Sequence, residues 1–180
     1  VFVSLFGYVI IAWVAIAILF KETIKHTSPI PSPKKMADQY WQLLSSKYFM
    51  SFASISWLNF SLMITIVSVM PFIMQDQIGM TSDEYAMWAL IPALGMLMGT
   101  TICNRVRPLI GSKKMLLSTP VLHIAGAIWL FFCPVEPLYL MLGQWLMILG
   151  NGIALPCAQS MVMLPYKKQA GAAAAMSGGG

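Results

Sequence analysis

Five apolar runs recur along the chain, at residues 1–20, 49–74, 84–103, 115–133 and 138–164, and a sixth begins near residue 170. A bilayer core about 30 Å thick is crossed by roughly 20 apolar residues in a helix, so each complete run matches one span. Lipid offers no water to a bare backbone, which leaves helices or closed barrels as spanning structures. The runs lack the alternation of apolar and polar residues, over segments about ten residues long, that barrel strands require. The sequence therefore predicts an all-α integral membrane protein. With 58% of residues hydrophobic and only 9% charged, a water-soluble domain is excluded.

The first run is read as a span and not as a secretory leader. No basic region precedes it, its length exceeds a leader's apolar core, and its nearest charges, Lys21 and Glu22, follow it. The chain opens on Val1 without an initiating Met and closes on "AAAAMSGGG" within an apolar stretch, which predicts a piece of a longer protein.

The scarce charges alternate from one connection to the next. All 11 Lys and Arg lie in three segments: 21–47 (Lys21, Lys25, Lys34, Lys35, Lys47), 104–114 (Arg105, Arg107, Lys113, Lys114) and 165–169 (Lys167, Lys168). The connections between them carry Asp76, Asp83, Glu84 and Glu136. Short loops rich in Lys and Arg stay on the cytoplasmic side, so loops 21–47, 104–114 and 165–169 are predicted to be cytoplasmic, in a multi-pass protein of a bacterial inner membrane. A net charge of +5 and a pI near 9.2 then find their partner in anionic membrane lipid, not in nucleic acid. The order of segments predicts a membrane helix over 1–20, a cytoplasmic linker over 21–47 and a truncated helix bundle over 48–180.

Within the linker, "SPIPSP" interrupts any regular helix, because proline lacks a donor and biases its predecessor to extended backbone. Beyond it Met36, Tyr40, Trp41, Leu43 and Leu44 share most of one helical face, the pattern of a short interfacial helix. On the acidic side "TSDE" is a capping box, with Thr81 as N-cap and Glu84 at N3.

No Asp, Glu, Lys or Arg falls in the interior of an apolar run, and His123 is the one titratable candidate. A lone His without an acidic neighbour is expected to pack between helices with a backbone or hydroxyl partner. It offers neither a metal site nor a hydrolytic centre, so no enzyme activity, metal or cofactor is expected. "GAAAAMSGGG" lacks the Gly-Lys-Ser/Thr of a phosphate loop. Cys103, Cys133 and Cys157, in or at the ends of separate runs, read as small apolar fillers without the close spacing of a disulfide framework.

Uncharged polarity is arranged in stripes. Ser56, Asn59, Met63 and Met70 recur near helical spacing in the second run, and Gln144, Asn151 and Gln159 in the fifth. Amides facing lipid are costly, so these stripes point into the bundle, toward either other helices or a water-filled path. Trp57, Trp88 and Trp145 are candidate aromatic walls. Gly95 and Gly99, with Gly150, Ala154 and Ala158, permit close helix contact. Pro92 and Pro156 are expected bend points.

A span, a long basic linker and then tightly spaced spans resemble the second half of a major facilitator superfamily transporter. The stretch "GNGIALPCAQSMVMLPYKKQAGAAAAMSGGG" is similar to the tenth helix, short loop and eleventh helix of its drug:proton antiporter branch, the Bcr/CflA-type multidrug exporters. The resemblance implies a major-facilitator-type helical bundle of which this is the C-terminal half, helices six to ten and the start of eleven. The segment 104–114 looks like the family's loop between helices eight and nine, G-x-x-x-D-R-x-G-R-R, with Gly99, Arg105, Arg107, Gly111, Lys113 and Lys114 in the cytoplasmic gate. Asn104 stands in place of the Asp, and Pro108 to Ile110 expand the spacing.

By the same resemblance two halves rock about a midplane site. Ser56, Asn59, Met63, Trp88, Gln144 and Asn151 would face the substrate cavity. Met and aromatic walls suit small lipophilic or cationic drugs, with protons as the coupling ion and their carriers in the missing N-terminal half. A facilitator-type metabolite carrier and a non-transporting receptor or scaffold are the alternative readings.

Overall fold

The structure, a computed structural model, describes residues 2–19 and 32–178. Lys21, Lys25 and most of "SPIPSP" lie outside the described residues, as do the side chains of Lys167 and Lys168. The chain divides into two units, Val1–Lys35 and Met36–Gly180.

In the first unit, α1 (Phe2–Leu19) is an 18-residue helix, about 27 Å long at 1.5 Å per residue. Tyr8, Ile11, Trp13 and Ile18 stand exposed on several sides of it. An apolar surface on all faces is what a span presents to lipid.

Next comes α2 (Pro33–Ser45). Proline at the first helical position costs no hydrogen bond, and the Lys35 N–H donates to the Ser32 hydroxyl at 3.4 Å. The helix expected in the linker is present. Of its apolar face only Leu43 is buried, against Phe49, Ala53, Val162 and Ala173, while Trp41 is 72% exposed.

Ser46 caps the next helix, α3 (Lys47–Phe72), by accepting from the Phe49 N–H at 3.3 Å. The same hydroxyl meets the Tyr166 hydroxyl at 2.6 Å, which ties the start of α3 to the segment after α7. Pro71 removes a donor near the far end, and the helix widens there into a π turn, Ile73–Gln77. The acidic end continues into α4 (Ser82–Trp88), where the capping box forms as read: Thr81 Oγ1 accepts from Glu84 N–H, and the Glu84 carboxylate accepts from Thr81 N–H at 2.9 Å. A break at Ala89 separates α4 from α5 (Leu90–Ile110). Pro92 lies three residues on, and its ring would press on the Trp88 carbonyl in an unbroken helix, so the expected bend is a break. Pro156, by contrast, sits inside an uninterrupted helix.

The segment 104–114 is not a loop. α5 runs through Arg105 and Arg107 to Ile110, Gly111 alone turns the chain, and α6 (Ser112–Phe132) begins at once, carrying Lys113 and Lys114 in its first turn. Gly111 has φ 84° and ψ 153°, a conformation that side chains rarely adopt. Arg and Lys are good helix formers, and a helix does not have to stop where hydrocarbon ends. After α6 the chain turns at Cys133 into α7 (Pro137–Met163), then a 3₁₀ stretch, Leu164–Gln169, and α8 (Ala170–Gly178).

Among the described residues, four helical stretches, Lys47–Gln77, Ser82–Ile110, Ser112–Phe132 and Pro137–Tyr166, are long and apolar enough to cross a membrane. α7 is the hub. It packs against α3, α5, α6 and α8, whereas α3 makes no comparable contact with α5 or α6. Two thirds of its most apolar window (67%) is buried, against 11% for α3. Glycines set these contacts. A methyl on Gly95 would stand 2.7 Å from the Trp145 carbonyl oxygen, and one on Gly152 would stand 2.8 Å from that of Met96. Gly99 lies in this α5–α7 crossing and not in the basic turn where the loop resemblance placed it. Gly150 instead receives the His123 ring from α6.

Candidate functional site

A cavity of about 530 Å³ opens beside the hub on the side where α4 and α5 lie. α3 contributes Met63 and Val67, α4 contributes Tyr85, α5 contributes Pro92 and Met96, and α7 contributes Gln144 and Ile148. The spacings explain the lining: 63 and 67, 92 and 96, and 144 and 148 are each one helical turn apart, so each helix presents one face. The break at Ala89 lets Tyr85 and Pro92 line the same cavity from two helices. Gln144 is 2% exposed and its Oε1 has no hydrogen-bond partner. The result is an apolar space with two thioethers, one phenol and one buried amide oxygen free to accept.

On the other side of α3, where α6 lies, is a groove of about 320 Å³ lined by Phe52, Ile55, Asn59, Thr119 and His123 among others. Its polar groups are used within their own helices. Asn59 Nδ2 donates to Ile55 O at 2.8 Å, and Thr119 Oγ1 donates to Leu116 O at 2.8 Å. His123 Nδ1 meets Thr119 O at 2.9 Å, the backbone partner expected of it, and its Nε2 is buried without a partner.

Of the six residues assigned to one cavity by the sequence, the structure brings Met63 and Gln144 together and disperses the rest. Asn59 lines the opposite groove. Ser56 is 3% exposed, with its hydroxyl donating to Phe52 O at 3.4 Å. Trp88 packs against a cluster of Met70, Met74, Leu140 and Met141. Asn151 is fully buried in α7, between the glycines that seat α6 and α5, and neither amide atom has a partner. α3 packs on α7 along its length, and Asn59 and Met63, although one turn apart on α3, line pockets on different flanks of the hub. The sequence reading also missed Tyr85, which lies at the start of the third run, although Pro92 and Met96 repeat one turn apart beyond it.

The other polar residue of the fifth run, Gln159, accepts from the Ser177 hydroxyl at 3.0 Å. Trp57 does not form a wall: its Nε1 donates to Met176 O at 3.2 Å and ties α3 to α8. Arg105 is exposed and Arg107 half-buried in the last turns of α5, with Lys113 and Lys114 exposed across the Gly111 turn. The two basic pairs thus flank one turn, on helix ends that meet there.

The family described as MFS/sugar transport protein matches residues 1–164. The chain is 23% identical over 167 residues to the multidrug resistance protein MdtL of Klebsiella pneumoniae subsp. pneumoniae, across 92% of this chain and 42% of that relative. It is 26% identical over 179 residues to the multidrug resistance protein MdtL of Shigella dysenteriae serotype 1, across 97% of this chain and 45% of that relative. The chain therefore spans less than half the length of these curated relatives. No solved structure matches it.

Proposed function

The chain belongs to the MFS/sugar transport protein family, and from that premise we propose that it lines one half of a proton-coupled exporter of small lipophilic or cationic drugs in a bacterial inner membrane. The observation that carries this reading is the cavity of about 530 Å³ lined by Met63, Met96, Tyr85 and Gln144, the last with a buried amide oxygen that has no partner. Thioethers repack around different shapes, and a phenol ring attracts an organic cation through its face. A single buried amide acceptor orients a ligand without demanding a fixed set of hydroxyls. A sugar would need several polar partners, and the described lining of this cavity is mostly apolar. The curated relatives' names as multidrug resistance proteins support the same substrate class.

In this reading a first six-helix half supplies the other wall and the proton-carrying carboxylates. The basic ends of α5 and α6 are cytoplasmic, where the Gly111 turn joins two gate helices. Alternating access then exposes the cavity to each side in turn.

The test is energised uptake by the assembled transporter in inverted membrane vesicles. With the vesicle interior made acidic, a fluorescent lipophilic cation should accumulate, and an uncoupler should abolish the signal. Gln144→Leu should lower accumulation, while Phe131→Leu, on the lipid side of α6, should leave it unchanged. No gradient-dependent uptake across a panel of cationic and neutral drugs would overturn the exporter reading, and downhill entry of a neutral metabolite would replace it with a facilitator.

A further inference from the structure

Cys103 in α5 and Cys157 in α7 are 54 positions apart, yet their sulfurs stand 3.4 Å from one another. Both side chains are fully buried, in a cluster with Ala154 and Ala158, whose short side chains leave the gap between the sulfurs clear. The backbones enforce this approach. A Cβ on Gly99 would stand 3.1 Å from the Gly152 Cα, so the two helices nearly touch there. Cys103 follows Gly99 by one turn along the same face, and Cys157 follows Ile153, a member of the same cluster, by one turn. A disulfide needs sulfurs at about 2.05 Å, and these two already stand in contact, so the helix crossing holds the pair within reach of one. Cys133 has no such neighbour: its thiol lies against Leu130 O at 3.6 Å, at the far end of α6.

We propose that Cys103 and Cys157 are a redox-convertible pair, which a hydroperoxide oxidises to a cystine that joins α5 to α7 inside the membrane. One sulfur, having released its proton, attacks a peroxide oxygen. The O–O bond breaks, a sulfenic acid forms, and the departing hydroxide takes up the proton as water. The second sulfur then attacks the sulfenic sulfur, an S–S bond forms, the S–O bond breaks, and the hydroxyl leaves as water with the second thiol's proton. Two thiols give up two electrons and two protons in all, and one hydrogen peroxide becomes two waters. Hydrogen peroxide is small and uncharged, so it can enter a site closed to ionic oxidants, and a dithiol reductant reverses the change. The cystine closes a loop that contains all of α6 and the Gly111 turn. It fixes the end of α5 that bears Arg105 and Arg107 to the hub helix.

The test uses the C133S chain in the assembled transporter, in native membranes. After exposure to hydrogen peroxide and quenching, the protein is denatured and its thiols are counted with a maleimide, before and after dithiothreitol, with peptide mass spectrometry. Cys103 and Cys157 should lose reactivity together and regain it together, and the mapped peptides should be joined through these two residues with the loss of two hydrogens. In C103S/C133S and C133S/C157S no cystine between these positions can form: the thiol that attacks the peroxide should stop at a sulfenic acid that dimedone traps, and the other should stay reactive to maleimide. The C133S chain alone decides the matter if either of those variants folds poorly. Persistent labelling of either thiol after peroxide, sulfinic acid at one of them, or linkage of one to a different molecule would overturn the proposal. The outcome does not depend on whether the protein exports drugs.

Discussion

Replacing Gly99 by Ala adds one methyl group where α5 crosses α7, and two opposing effects then compete. In a helix interior Ala is better than Gly by about 1 kcal/mol, so an unobstructed site should gain stability. At Gly99 the new Cβ would run into the Leu149 carbonyl oxygen and stand 3.1 Å from the Gly152 Cα, and both obstacles are backbone. Neither can rotate away, so the helices must part, and overpacking of this kind costs about 1–3 kcal/mol, with the upper end applying where backbone meets backbone. Parting also loosens Cys103, Ile153 and Cys157, which depend on the same approach. The net expectation for Gly99→Ala is a loss of about 2 kcal/mol, read as a fall in the thermal unfolding midpoint of the detergent-solubilised transporter. Gly171→Ala is the matched control. It makes the same chemical change in α8, where a Cβ meets nothing within 4 Å, and should gain roughly 0.5–1 kcal/mol. Gly152→Ala should cost about as much as Gly99→Ala. The double variant should cost less than the sum by more than about 0.5 kcal/mol, because helices already parted have room for the second methyl. A Gly99→Ala protein as stable as Gly171→Ala, or strict additivity with Gly152→Ala, would refute the close-crossing argument.

Gly111→Ala tests strain without crowding: a Cβ there meets nothing within 4 Å, but φ 84° with ψ 153° is nearly closed to side chains. The midpoint should fall by an amount equivalent to about 1–3 kcal/mol, and Gly111→Asn should not restore it. Thr81→Ala removes the capping box and should cost about 1 kcal/mol, seen as faster amide exchange in the first turn of α4. Asn151→Leu keeps the forked shape of the side chain and removes two buried, unpartnered amide atoms; that gain, about 1–3 kcal/mol, should outweigh the crowding by its bulkier methyls, so the midpoint should rise. A fall would show that the amide has partners in the assembled protein.

The four spans from α3 to α7 were legible because each run of hydropathy is a local property that lipid enforces. The same holds for the Thr81–Glu84 cap, the break before Pro92 and the backbone partner of His123, each settled within a turn or two of sequence. Segment 104–114 misleads because clustered charges suggest a loop, although Asn104, Arg105 and Arg107 are compatible with helix, and only the φ of Gly111 marks the turn. The candidate cavity was half legible. Periodicity placed Met63 and Gln144 on inward faces, but it could not say that α3 would pack along α7 with Asn59 on the opposite flank. The Cys103–Cys157 contact was not legible, because nothing local to either residue encodes a crossing set by Gly99 and Gly152 on two other turns.

The hub position of α7 also bears on how the chain is made. α3, α5 and α6 are synthesised before α7 and touch one another far less than each touches it, so within this part of the chain their packing waits for α7. The buried amides Gln144 and Asn151 both sit in the helix that enters last of the four, when its neighbours are already in place to shield them. Chain order thus decides where polarity is tolerable: the same two amides on α3 would have waited in hydrocarbon for a shelter not yet synthesised.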